Sequence, residues 1–192
     1  MKQSYSTFNL VTVISLLLGV IWLSPAGAAV APVFEPLGQI RAEGMLLVGA
    51  MDMDEAGTLY VADSRAGLVH TFDQYGDFLQ SFDLQVTGRG LAVTPDGSRL
   101  YVSREQSVVI YDLLEEVVAG ELGGAVIDAP EFASVGEIDL DAAGNIYVAD
   151  GMTIKVYSAY GQFQSSFGGT GFGLGQFQQV GGLTVSPARE GL

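Results

Sequence analysis

The 192-residue chain contains no cysteine. Disulfides, thiolate zinc sites and a cysteine nucleophile are therefore excluded, and so is a lipoprotein signal, which needs a lipidated Cys. Basic side chains are scarce, with eight Lys and Arg against 22 Asp and Glu. Phosphate binding needs clustered Lys and Arg, so the chain carries no nucleic-acid surface. The acidity reads as solubility; a divalent cation or a basic partner are the other uses open to it. Histidine occurs once, as His70, and tryptophan once, as Trp22. Proline is also sparse, at six residues, while 26 glycines are spread along the chain and signal many tight turns. With hydrophobic residues at 48% and charged ones at only 16%, the composition is that of a packed core and not of a disordered chain.

The N-terminus has the pattern of an export signal. Lys2 is the only charged residue before Glu35, and Phe8 to Leu23 is almost wholly apolar. Ser24-Pro25 ends that run, and Ala26-Gly27-Ala28-Ala29 supplies a small-residue cleavage site. Cleavage is expected after Ala28 or Ala29, making 1–28 a signal peptide and 29–192 the mature chain. The apolar run has 16 residues, short of the roughly 20 that a spanning helix needs. No stable membrane insertion is expected after cleavage, and the destination is periplasmic, cell-surface or extracellular.

The mature chain repeats itself. GAMDMDEAGTLYVAD from Gly49, GLAVTPDGSRLYVS from Gly90 and GEIDLDAAGNIYVAD from Gly136 read alike, and GGLTVSPAREGL from Gly181 begins a fourth unit. The leading glycines Gly49, Gly90, Gly136 and Gly182 are 41, 46 and 46 residues apart; Tyr60, Tyr101 and Tyr147 repeat the first two intervals. Each unit parses by period two into four short strands joined by Asp/Gly turns, Pro95-Asp96-Gly97 among them. A lone four-stranded sheet cannot bury both its faces, whereas like sheets stacked around an axis can. The expected fold is all-β: a propeller of about three four-stranded blades, roughly 45–85, 86–124 and 132–170, plus a partial blade at 177–192. The recurring aromatics Tyr60, Tyr101, Tyr147, Phe72, Tyr111 and Tyr157 are expected between blades.

These units resemble the NHL repeat. Asp141-Ala-Ala-Gly144-Asn145-Ile146-Tyr147-Val148-Ala149-Asp150, then Val156-Tyr157, then Gly161-Gln162-Phe163 follow that family's pattern. Tyr60-Val61-Ala62-Asp63, Phe72-Asp73 and Gly76-Asp77-Phe78 follow it nearly as well. The middle unit departs, with Ser103 in place of the Asp and Glu115-Glu116 in place of the Gly turn. The resemblance covers about 37–192 and implies a ring of about six blades, so that the chain would be a C-terminally truncated piece of one. Phe34 to Ile40 would then be the outer strand of the closing blade.

Several motifs bear on chemistry. Asp52-x-Asp54 with Asp63, and Asp139-x-Asp141 with Asp150, echo a calcium loop, but Ala stands at the fifth position and Asp at the twelfth. No cofactor is expected, calcium being the one candidate. Asp63 and Asp150 end their second strands, where a carboxylate accepts backbone N–H groups and fixes the turn. His70 has no nucleophile motif beside it. Gly168 to Gly173 lacks the Lys-Ser/Thr ending of a phosphate loop and reads as a link between blades. Arg65, Arg89 and Arg104 follow strand ends, where propellers expose loops. The candidate binding residues are Asp63, Arg65, Arg104 and Asp150. The expected function is a non-enzymatic binding or scaffold module for a protein or small-molecule partner at a propeller face. The alternative implied by related propellers is part of an enzyme, an NHL-type lyase or gluconolactonase-like hydrolase, with a metal site at the central channel.

Overall fold

Period-two runs of β-branched and aromatic residues, cut by Asp/Gly turns, become strands and nothing else. In the computed structural model, which describes Met45 and residues 47–87, 89–123 and 130–186, there are twelve strands and no helix among the described residues. The signal peptide expected at 1–28, the segment Phe34 to Ile40 and the end of the fourth unit lie outside them. Blade 1 comprises β1 (Val48–Met53), β2 (Leu59–Asp63), β3 (Leu68–Phe72) and β4 (Phe78–Asp83). Blade 2 comprises β5 (Leu91–Val93), β6 (Arg99–Arg104), β7 (Ser107–Asp112) and β8 (Val117–Gly123). Blade 3 comprises β9 (Val135–Leu140), β10 (Ile146–Asp150), β11 (Thr153–Tyr157) and β12 (Phe163–Gly168). Each blade is an antiparallel meander in chain order.

Local chemistry closes the turns. Gly57, Gly97 and Gly144 adopt φ of 85, 66 and 78°, and each donates its N–H to the carbonyl three residues earlier. In blade 2 the left-handed position before β8 is filled by Glu116, at φ 55°. A residue with a Cβ pays about 1–2 kcal/mol for that region. Glu116→Gly is therefore expected to raise stability by about 0.5–1 kcal/mol, part of the relief being lost to a more flexible unfolded chain. Urea denaturation checks this; a destabilised variant would mean that the Glu116 side chain holds the turn.

The blades stack face to face. Tyr60, Ala62, Val69 and Phe82 of blade 1 pack on Leu91, Val93, Leu100, Val102, Val109 and Tyr111 of blade 2. The other face of blade 2, through Ala92, Tyr101, Val108 and Leu122, packs on Val135, Ile138, Ile146, Val148 and Tyr157 of blade 3. Repetition of this face-matched stacking of meander sheets is what defines a β-propeller. Among the described residues, equivalent positions are buried only where a neighbouring blade stands. Leu91 and Ile138 are each 4% exposed, whereas Met51, at the same place in blade 1, is 60% exposed. Likewise Tyr60 and Tyr101 are buried, but Tyr147 is half-buried: no further sheet packs on its face of blade 3 among the described residues.

The innermost strands approach closely. A Cβ on Gly90 would sit 2.2 Å from the Gly136 carbonyl oxygen, so only glycine fits there. Carboxylates tie an inner strand to the chain of the following unit. Asp52 Oδ2 accepts the Val93 N–H at 2.8 Å, and Asp139 Oδ2 accepts the Val185 N–H at 2.6 Å. Blade 2 carries Ala92 at the corresponding place, so it receives such a tie and makes none.

Candidate functional site

Antiparallel pairing puts the β2–β3, β6–β7 and β10–β11 turns, with the crossovers between blades, on one side of the stack. The β1–β2 and β3–β4 turns and their counterparts lie on the other. Asp63, Arg65, Arg104 and Asp150 all fall on the first side.

Asp63 and Asp150 are buried there and engaged with backbone. Asp63 Oδ1 accepts the N–H groups of Leu47, Arg65 and Ala66 at 3.0–3.2 Å. Asp150 Oδ1 accepts those of Ala133 and Ser134 at 2.7 and 2.8 Å. At the same position in blade 2, Ser103 Oγ accepts the N–H groups of Arg89 and Gly90 at 3.1 and 2.9 Å. The residue at this position of the second strand thus pins the chain segment that enters its blade, and a hydroxyl does this as well as a carboxylate.

The second carboxylate oxygen explains a further pairing. Lys155 Nζ lies 2.7 Å from Asp150 Oδ2, also donates to the Glu131 carbonyl, and stands 4.6 Å above the Phe132 ring. His70 occupies the corresponding place in blade 1: its Nε2 is 3.9 Å from Asp63 Oδ2 and its Nδ1 is 2.9 Å from Ser81 Oγ. In blade 2 the corresponding residue is the apolar Val109, beside the neutral Ser103. A titratable side chain at this place on the third strand accompanies an aspartate on the second, and an apolar one accompanies the serine. Sequence reasoning missed Lys155; its register position, shared with His70, was the available signal.

The calcium pattern is taken apart by the strand register. Asp52 lies opposite Tyr60, whereas Asp63 pairs with Val48 at the far end of the same two strands. In blade 3, Asp139 lies opposite Tyr147 while Asp150 pairs with Val135. Asp54 accepts from the Thr58 N–H and the Tyr60 hydroxyl instead. Burial, and then the Asp54 carboxylate, push that hydroxyl up to about 12. Burial alone would raise the Asp141 carboxyl, but hydrogen bonds from the Asn145 side chain and from the Asn145 and Ala143 N–H groups outweigh it and hold the carboxyl below the usual range. Among the described residues no group of three or more His, Asp or Glu is placed to hold a metal ion.

What remains open on the first side is a cleft of about 600 Å³ between blades 2 and 3, lined by Thr87, Arg89, Glu105, Gln106 and Ser134 among others. Arg89 is exposed and its Nη1 donates to Ser134 Oγ at 3.2 Å. A second cleft, beyond the Glu105-Gln106 turn, is lined by Gln85, Arg104, Ser107 and Glu121. Arg104 Nη2 donates to Gln85 Oε1 there at 2.6 Å. Arg65 is exposed on the β2–β3 turn, away from both. The structure therefore separates the four candidate residues: two carboxylates hold the fold, and one of the two arginines borders a cleft.

The chain matches no protein-family model and no curated protein. Among solved structures it is similar to a streptogramin B lyase structure, at 15% sequence identity and a TM-score of 0.49, over 62% of this chain and 40% of that one. The chain thus spans less than half of that structure's length. The β-propeller assignment rests on the meander sheets and their face-matched packing.

Proposed function

We propose that the chain is an exported NHL-type propeller module, belonging to a ring of about six blades, that binds a protein or small-molecule partner at the face carrying the β2–β3, β6–β7 and β10–β11 turns. The observation that carries this reading is the division of labour on that face. Asp63, Ser103 and Asp150 are consumed by the backbone they pin. Arg89, Glu105 and Gln106 are exposed around a cleft whose volume suits a small ligand or a partner's side chains. The NHL assignment is supported by the motif from Asp141 to Asp150 and its recurrence in blade 1. Export is supported by the N-terminal pattern, and the mature protein begins at Ala29 or Val30.

The reading is tested by replacing Gln106 with a photo-crosslinking amino acid in the full chain expressed with its signal. Tyr75, exposed on the opposite side in the β3–β4 turn, serves as the control position. The expected result is one defined adduct from position 106 outside the cytoplasm and none from position 75. No adduct at 106, or the same adducts from both positions, would overturn it.

A further inference from the structure

Among the described residues no arginine stands within ion-pair distance of a carboxylate, in a protein with carboxylates to spare. The formal net charge is −14, yet among the described residues the basic side chains within ion-pair distance of a carboxylate are Lys155, at Asp150, and the imidazole of His70, at Asp63. Arg89 is oriented instead by a neutral hydroxyl, which occupies one N–H of the guanidinium and leaves several donors open toward the cleft. A guanidinium held this way is a preorganised seat for a carboxylate, which it binds bidentately. Burial of a bare anion would be opposed by the field of so acidic a protein, and by Glu105, which shares the cleft. A ligand that brings its own positive charge meets neither objection.

We propose that the cleft between blades 2 and 3 takes a small zwitterion, such as an amino acid or short peptide, with its carboxylate on Arg89 and its ammonium group against Glu105. This rests on the reading of that face as the binding face and names the ligand class. Thr87 and Gln106 add hydrogen-bonding groups to the walls, and the neighbouring cleft likewise has one arginine and glutamates in its lining, Arg104 and Glu121 among them.

The test uses glycylglycine, glycylglycinamide and N-acetylglycylglycine as probes, with the Arg89 side-chain N–H and the Gln106 amide followed by NMR in the mature protein. Glycylglycine is expected to give saturable shifts at both, and each capped form to bind at least about tenfold more weakly, because each loses one charge-assisted contact. Arg89→Ala abolishes the response with the remaining spectrum unchanged, while Arg99→Ala, exposed at the start of β6 on the opposite side of the stack, leaves it intact. Absence of a saturable shift, an equal response from the amide-capped probe, or undiminished binding by the Arg89 variant would each overturn the proposal. A defined adduct at position 106 combined with no glycylglycine binding would reject the zwitterion and keep the binding face; loss of both would reject the two together.

Discussion

Asp150→Ala is expected to cost about 3–5 kcal/mol of folding stability, the range found when one partner of a buried ion pair is removed. The substitution strands the buried Lys155 ammonium, whose side chain is only 10% exposed, beside an aromatic ring and a single carbonyl. It also leaves the Ala133 and Ser134 N–H groups without their acceptor. Blade 2 supplies the rescue. Asp150→Ser combined with Lys155→Val copies the Ser103 and Val109 arrangement, and it is expected to recover most of the loss, since replacing both partners of a buried pair is often neutral. Urea denaturation of the single and double variants decides the matter. A single variant within about 1 kcal/mol of the parent would show that the ion pair is incidental.

Tyr157→Ala should be comparably damaging, at about 3–5 kcal/mol. The ring is fully buried at the junction of blades 2 and 3, with Phe132 at 5.9 Å and Phe163 at 5.6 Å between ring centroids. Its hydroxyl is buried without a hydrogen-bond partner, and burial, then the Asp150 carboxylate, push its pKa up to about 12. Tyr157→Phe removes only that unsatisfied group and is expected to leave stability unchanged or slightly higher. If the phenylalanine variant proved as unstable as the alanine one, the hydroxyl and not the ring would be holding the junction.

The repeat made the fold legible. Three spaced copies of an Asp/Gly turn followed by Tyr-Val announced three meander sheets, and the alternation within each strand assigned side chains to faces. What the repeat could not convey is that equivalence of sequence is not equivalence of environment. Tyr147 matches Tyr101 letter for letter, but among the described residues Tyr101 meets a neighbouring sheet and Tyr147 does not, so the two differ in burial. Ser103 looked like a departure from the pattern because the eye compares residue types; the backbone asks only for an acceptor, which a hydroxyl supplies. Of the candidate binding residues, the two aspartates were visible as strand ends, and their burial was hidden because a turn carboxylate and a ligand carboxylate share the same letters. The cleft was not legible at all: Arg89, Glu105 and Ser134 come from three separate segments, and only the stacking of blade 3 on blade 2 brings them to one rim.

The ties made by Asp52 and Asp139 carry a last consequence. They, and the contacts of Asp63 with His70 and of Asp150 with Lys155, belong to blades 1 and 3, while blade 2 carries Ala92, Ser103 and Val109. The fourth unit opens with Gly182-Leu-Thr-Val-Ser-Pro187, a near copy of Gly90-Leu-Ala-Val-Thr-Pro95, and its Val185 receives the tie from Asp139 just as Val93 receives the one from Asp52. Among the described residues giving and receiving blades therefore alternate, and the couplet they form is the 87 residues that separate Asp52 from Asp139. A ring that keeps this alternation closes only on an even number of blades. Adding or deleting a single blade would leave one seam joining two blades of the same kind; adding or deleting a couplet would change the diameter and leave every seam as it was.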